Sequence, residues 1–447
     1  MNEKELAEKL NSAKAAEIFT ELYGGSGLEA ARKRYAALIT DMLKDGNEWG
    51  DLRIFSAPGR TELAGNHTDH NRGKVLAASI QLDSAAVVKK RKDNIVFFRS
   101  TGFPDVEVKL TDSYGDPDLE PKPEEKGTTE ALVRGIAAEF HKRGCKIGGF
   151  SANADSIVFP GSGLSSSAAV EVLFGKIFDS LYGGGKRTPL EIAQIGQIAE
   201  NVYFGKPCGL MDQTACASGG AVAIDFEFDD EPVLKQINFD LAAAGFVLCV
   251  VNTGGSHADL TADYASIPSE MKSVAAFYGK TVLRELNKEA VLYRAIELRK
   301  KLGDRALLRA IHYFDENERV YDMSIALQIM GKEASDAARM DTFYYYLKLV
   351  NQSGDSSWKL LQNVYSPNNT AEQGMTIALS LTKDFLSSKC SNAGACRVHG
   401  GGFAGTIQAY IPVSAINDYR DCIEEIFGAG SVTQLFIRPK GAIELIL

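Results

Sequence analysis

The sequence predicts an α+β chain, on three observations. Apolar, β-branched runs suited to strands occur at Val75–Val88, Phe246–Asn252 and Thr406–Ile411. The stretch from Ile267 to Leu361 is largely helical in period, with Met271, Val274, Tyr278 and Val282 keeping one face. Strands and helices do not alternate regularly, which argues against a doubly wound sheet. At 447 residues the chain has room for two domains.

Residues 1–50 read as helices broken at Gly24–Gly25 and near Gly46, with Tyr35, Ile39 and Met42 on a face that packs inward. Leu52–Phe55 reads as a short strand entering a turn at Ala57-Pro58-Gly59-Arg60, and Ile95–Arg99 as a further strand. Asp112–Lys126, rich in Pro, Asp and Glu, reads as a loop, and Thr128–Lys142 as a helix with a Thr-Thr start. A strand is expected over Gly149–Phe159 and helices over Ser165–Leu181, Leu190–Val202 and Met375–Ser388. Ala221–Phe226, Val432–Ile437 and Ala442–Leu447 read as strands. The charged run Phe226–Pro232 suggests a domain boundary, giving domains 1–230 and 231–447.

Lys and Arg total 49 against 58 Asp and Glu, a formal charge of -9, and there is no basic run; this argues against a nucleic-acid partner. No stretch has the roughly 18 apolar residues of a membrane span. The first residues carry charges and no apolar signal core, so no secretory signal is expected. Seven scattered cysteines without a CxxC fit a reducing cytoplasm better than a disulfide framework or a zinc site.

Four stretches could carry chemistry. In Phe159–Val172, FPGSGLSSSAAVEV, glycines precede three serines and a helical pattern. A helix start leaves backbone N–H groups unpaired and partially positive, and glycines let an anion approach them. Composition leaves two readings, a flexible linker and a phosphate cradle. No lysine follows Gly163 at Walker A spacing, so serine hydroxyls would have to do that work. Ala57–Asn71, APGRTELAGNHTDHN, packs Arg60, Glu62, Asn66, His67, Asp69 and His70 into eleven residues, as a surface loop or as a site for a polyhydroxylated ligand. In Ala199–Gly220, Asp212 follows Glu200 by twelve residues in a Gly-Leu-Met-Asp-Gln turn, as a cap or a working carboxylate. Arg397–Tyr410, RVHGGGFAGTIQAY, has a glycine run before a strand.

Together these stretches resemble the GHMP small-molecule kinases and, among them, the galactokinase family. APGRTELAGNHTDHN is similar to the family's APGR…GEHTDYN signature, PGSGLSSSAA to its serine-rich phosphate loop, AENVYFGKPCGLMDQ to a galactokinase segment and HGGGFAG to its third motif. NTGGSHADLTADY (252–264) and RAIHYFDENER (309–319) agree as well. The resemblance implies a two-domain GHMP kinase fold with the active site in the interdomain cleft, and ATP-dependent phosphorylation of galactose at its anomeric hydroxyl. It implies Asp212 as the carboxylate that accepts or orients the anomeric proton, with Arg60 beside it offsetting charge on the transferred group. It places the phosphates on Gly161, Ser162, Gly163, Leu164, Ser165, Ser166 and Ser167. Mg²⁺ would lie on Ser167, with Ser166 the alternative, and on Glu200. Asn66, His67, Asp69, Gly209 and Tyr264 would contact the sugar. A cytoplasmic monomer with sugar and ATP as its partners is expected.

The chain departs from the family where sugar is read. The family's glutamate before His-Thr-Asp is Asn66 here, its asparagine near the start of the motif is Glu62, and His70 stands in place of tyrosine. The alternatives are therefore a kinase for galacturonate or N-acetylgalactosamine, or a non-catalytic galactose sensor. The intact serine loop with Arg60, Glu200 and Asp212 argues against the sensor.

Overall fold

A computed structural model of the chain describes residues 3–46, 48, 51–159, 163–228, 231–255, 260–332 and 335–447. Its backbone is a long hairpin of β1 (Leu52–Ala64) and β2 (Lys74–Lys90), paired antiparallel. The expected turn at Ala57–Arg60 is not one. The strand runs through it with a register shift between Pro58 and Arg60. Proline and glycine are tolerated in a strand at such an irregularity, where a ladder bond is missing anyway. Gly59 also lets the carbonyl of Leu164 come within 2.7 Å of where a Cβ would stand. Arg60 N–H donates to that carbonyl at 3.0 Å, leaving the strand ladder to hold the phosphate loop.

The hairpin seeds an eight-stranded sheet. β5 (Phe150–Ser156) pairs antiparallel with β2 and parallel with β3 (Ile95–Ser100), and β4 (Val106–Lys109) forms the edge. β6 (Ala221–Asp225) pairs with the start of β2, and β7 (Val233–Ile237) with β6. The last strand, β12 (Ile443–Leu445), returns to β1. Both faces are covered, so buried residues continue along β1 and β2 without alternating outward. On one face α4 (Thr129–Lys142), α5 (Ser166–Phe178), α6 (Pro189–Ile198) and α7 (Met211–Ser218) pack against Phe55, Ala86 and Val88. On the other, α1 (Glu3–Leu10), α2 (Ala13–Tyr23) and α3 (Leu28–Lys44) pack against Ile54, Ala85 and Val87.

A second sheet has the order β11-β8-β10-β9, from β8 (Phe246–Asn252), β9 (Ala395–His399), β10 (Thr406–Pro412) and β11 (Val432–Leu435). α13 (Gly374–Cys390) and α14 (Ile416–Phe427) cover one of its faces. The other face meets the first sheet in a shared core that joins Leu63, Leu76 and Ile80 to Leu248, Val250 and Tyr410. In the chain between β8 and α13 lies a helical block, α8 (Thr261–Phe277), α9 (Lys288–Tyr293), α10 (Ala295–Leu302), α11 (Asp304–Met330) and α12 (Asp336–Ser356), of which α11 and α12 join the same shared core.

Several elements differ from expectation. The strand expected to Phe159 stops at Ser156, and the helix expected from Ser165 starts at Ser166. β4, β7, β9, α7 and α14 are absent from the sequence reading. β7 lies just past the charged run read as a boundary and exposes most of its residues, so it lacks a strand's apolar face. β9 hides its character because Arg397 and His399, both buried, break the apolar run. α7 is short and built of small residues, and its N-terminal Leu210 offers no capping side chain.

Candidate functional site

The tip of the β1–β2 hairpin, residues 65–73, is held from beneath by one face of α11. Glu316 Oε1 accepts from Gly65 N–H at 3.1 Å, and His312 Nε2 lies 2.9 Å from the Asn66 carbonyl. Tyr313 Oη donates to the Asn71 carbonyl at 2.9 Å, and Asn317 Oδ1 accepts from Lys74 N–H at 2.7 Å. Residues 312, 313, 316 and 317 are neighbours on one helix face. That spacing was the available signal, since polar residues on a helix face are ordinarily read as solvated. Arg319 and Ser353 bond Glu316 in turn. Burial works against its charge, but Arg319, His312 and Arg397 hold its carboxyl at about 2.

Above this support lies a polar cavity of about 170 Å³. It brings together Arg60, Glu62, Asn66, His67, Asp69, Gly209 and Asp212, with Gly400 and Gly401 of the glycine run. Tyr264 is not among the lining residues. It stands behind them, its ring where a Cβ on Gly401 would go and its hydroxyl donating to the Gly402 carbonyl at 3.0 Å. Gly209 is held to glycine by Asp69, whose Oδ2 lies 2.6 Å from where a Cβ would stand. Asn66 is fully buried. Its Nδ2 donates to the Gly400 carbonyl at 2.6 Å and to Glu62 Oε1 at 3.2 Å, and its Oδ1 accepts from Asn363 at 2.7 Å. His67 Nε2 is 2.8 Å from the Gly401 carbonyl, and burial, then its neighbour His70, lowers its pKa to about 4. It therefore offers a neutral ring near neutral pH.

Arg60 and Asp212 meet at one end of the cavity. Arg60 Nε and Nη2 lie 2.8 and 2.7 Å from Asp212 Oδ1, and Nη1 donates to the Gly163 carbonyl. Burial opposes the Arg60 charge, but Asp212 more than restores it, so its pKa stands above the ordinary value. Asp212 lies in the first turn of α7, not in the turn the sequence suggested. Ser165 Oγ donates to Asp212 Oδ2 at 2.5 Å. Ser165 is in the left-handed region and its side chain caps no N–H of α5, so the first N–H groups of that helix are left to other partners.

Of the phosphate-loop residues, Gly161 and Ser162 lie outside the described residues, as do 256–259 of the 252–264 segment. Leu164 is buried, while Ser166 and Ser167 line a second, largely apolar cavity of about 540 Å³ with Phe98, Phe103, Val158 and Val170. Glu200 is buried against α7: its Oε2 accepts from Gln213 at 3.0 Å and its Oε1 from Lys206 at 3.2 Å. Gln213 also donates to Glu171 at 2.9 Å. Burial, then the charge of Glu200, raises the Glu171 pKa well above the ordinary value. Among the described residues the other Glu171 oxygen has no partner. Among the described residues no three His, Cys, Asp or Glu side chains are grouped to hold a metal, and no helix is long and apolar enough to cross a membrane.

The arrangement is that of a GHMP kinase: residues 131–220 match the family model for the GHMP kinases N terminal domain. The fold is similar to Methanococcus jannaschii mevalonate kinase, with a TM-score of 0.55 at 14% identity over 87% of this chain and 99% of that one. It is also similar to Lactococcus lactis galactokinase complexed with galactose, with a TM-score of 0.73 at 22% identity over 92% of this chain and all of that one. Residues 46–90 match the galactokinase galactose-binding signature. Galactokinase of Streptomyces coelicolor is 30% identical over 384 residues, which are 85% of this chain and 89% of that protein. Galactokinase of Glaesserella parasuis is 30% identical over 83% of this chain and 88% of its own length. The chain belongs to the galactokinase family.

Proposed function

We propose that this protein transfers the γ-phosphoryl group of ATP to the anomeric hydroxyl of galactose, giving galactose 1-phosphate and ADP. The observation that carries the reading is the convergence of Arg60, Asp212 and Ser165 between a polyol-sized polar cavity and the N-terminus of α5. In this reading Asp212 accepts the anomeric proton as the oxygen attacks phosphorus. Arg60 fixes that carboxylate and offsets charge on the phosphoryl group in flight. The N–H groups at the start of α5, with residues 161–167, hold the phosphates. The apolar cavity beside Ser166 and Ser167 suits the nucleoside. His67, Asp69, Gly209 and the loop at Gly400–Gly401 surround the sugar, with Tyr264 as the support of that loop.

The donors present fit Mg²⁺. It favours hard oxygens and is commonly held by one or two carboxylates together with substrate phosphates, not by an all-protein cage. The Ser167 hydroxyl, exposed at the first turn of α5, and the Glu200 carboxylate would hold it. When bound it would neutralise charge on the phosphates. Residues 1–230 and 231–447 would be the two lobes, with β7 and β12 pairing back onto the first sheet. A cytoplasmic monomer belongs to the same proposal, in keeping with seven unpaired thiols.

The test is a coupled ADP-release assay on the purified chain with galactose, galacturonate, N-acetylgalactosamine and glucose. Galactose should give the highest kcat/KM. Galacturonate or N-acetylgalactosamine outrunning galactose would overturn the substrate, and no sugar-dependent ADP release would overturn the reaction.

A further inference from the structure

Resting on the sugar reading above, we infer that Glu62, not the residue at position 66, is the acceptor the cavity offers to a sugar hydroxyl. By the same geometry it selects a neutral sugar over an acidic one. Asn66 has no hydrogen left to give, since both amide hydrogens are spent on Gly400 and Glu62, and its oxygen already accepts from Asn363 in a side chain that is fully buried. Glu62 is different. Its Oε1 accepts from Arg397 Nη2 at 2.7 Å and from Asn66 Nδ2 at 3.2 Å. Its Oε2 accepts from none of the described residues, and Glu62, whose side chain keeps 5% of its surface exposed, lines the same cavity as Arg60 and Asp212.

The asymmetry has a physical origin. Arg397 is fully buried and needs a counter-charge, so it anchors one carboxylate oxygen and turns the other away from itself. Asn66 adds a second donor to the anchored oxygen, which fixes the rotation of the carboxylate plane. Burial raises the Glu62 carboxyl above its ordinary value, against the pull of Arg397, Arg60 and Asn66 toward the charged form. As a carboxylate its free oxygen only accepts, so the ligand group facing Oε2 has to be a donor, and a sugar hydroxyl qualifies. A ligand carboxylate at that place would set like charges together in a confined site. Positions 62 and 66 thus form one unit across four residues, with the charge on 62 and the neutral clamp on 66.

The test exploits the two donors on Oε1. In Glu62→Gln they retain the amide oxygen there, so the amide nitrogen replaces Oε2 and an acceptor becomes a donor while the pairing to Arg397 persists. Dissociation constants are measured by calorimetry for galactose, its 2-, 3-, 4- and 6-deoxy forms and galacturonate, each with an unhydrolysable ATP analogue. Galactose should bind Glu62→Gln roughly 10- to 100-fold more weakly than wild type. One deoxy sugar should bind the two proteins equally, because the hydroxyl that meets Oε2 is already gone. Galacturonate should gain relative to galactose. The same weakening for every deoxy sugar, or none, would overturn the assignment and leave Glu62 as a partner of Arg397 alone. Wild-type protein that fails to bind galactose would overturn the sugar reading instead. Should Glu62→Gln not fold, Glu62→Asp, which withdraws the carboxylate by one methylene, carries the same comparison.

Discussion

Arg60 and Asp212, 152 positions apart, meet through two guanidinium nitrogens on one carboxylate oxygen, at 2.8 and 2.7 Å. The other oxygen of Asp212 is held by Ser165 of the phosphate loop. One contact therefore ties three parts of the chain together: the strand that precedes the sugar loop, the loop that precedes α5, and the first turn of α7. The carboxylate is oriented before any ligand arrives, and a carboxylate oxygen can accept a second donor beside Ser165.

Asp212→Ala removes the base and leaves the rest of the sugar cavity standing. Turnover in the ADP-release assay should fall about 10²- to 10⁴-fold. The galactose dissociation constant should change less than about tenfold, because that loss is concentrated in the transition state. Near-normal turnover in this variant would remove Asp212 from the chemistry.

Glu316 makes a pH-dependent contribution to stability. Its carboxyl sits at about 2, below the 4.5 of an ordinary glutamate, so the folded state resists protonating it. A depressed carboxyl stabilises the fold fully above the unfolded value and loses that contribution as pH falls through the folded one. The window is thus from 4.5 down to about 2. Urea unfolding at pH 6 should find Glu316→Gln less stable than wild type by on the order of 2–3 kcal/mol. The gap should narrow steadily between pH 4.5 and 3. A gap that stays constant over that range would mean Glu316 acts by shape and not by charge.

The legible parts of the sequence were those with a period or a crowd. Strand β2, the helices of residues 1–44 and the long helical block follow from apolar spacing, while β1 hid behind its Pro-Gly pair; Arg60, Asp69, Glu200 and Asp212 stand out because charged side chains are dense beside glycines. The hidden parts are where burial overrules polarity. Arg397 and His399 do not read as members of a buried strand, yet Arg397 is paired with Glu62 and His399 bridges Thr61 and Thr406. His312 and Glu316 read as the wet face of a helix and are instead the floor of the sugar loop. Arg397 with Glu62, His399 with Thr61, His312 with Asn66 and Glu316 with Gly65 are each more than 200 positions apart, so no local pattern names these partners.

Gly402 is the position of the glycine run that tolerates least. Its φ is +84°, and a Cβ there would lie 2.3 Å from the Asn363 carbonyl oxygen and 2.4 Å from Asn363 Nδ2. Asn363 is the residue that holds the Asn66 amide. Gly402→Ala should lower stability by roughly 1–3 kcal/mol through backbone strain. It should also raise the KM for galactose more than the KM for ATP, since the displaced contact leads to the sugar loop. Thermal unfolding and steady-state kinetics check the two parts. Equal effects on both substrates would place the damage outside the sugar cavity.

Glu200 gives the clearest separation between a metal role and a structural one. Its carboxylate rests between Lys206 at 3.2 Å and Gln213 at 3.0 Å, and Glu171 shares the same glutamine. If Glu200 held only Lys206, neutralising it would matter little, because that lysine side chain is 62% exposed and solvent would replace the pairing. If it holds Mg²⁺, Glu200→Gln removes a hard anionic ligand from an ion that has few protein ligands to lose. The Mg²⁺ concentration for half-maximal ADP release, at fixed ATP, should rise at least about tenfold in Glu200→Gln. Unfolding stability should change by less than about 1 kcal/mol, since water replaces the pairing at the exposed lysine, the amide oxygen still accepts from Gln213 and the repulsion with Glu171 is relieved. An unchanged Mg²⁺ dependence with slower turnover would move Glu200 from the metal to the support of α7.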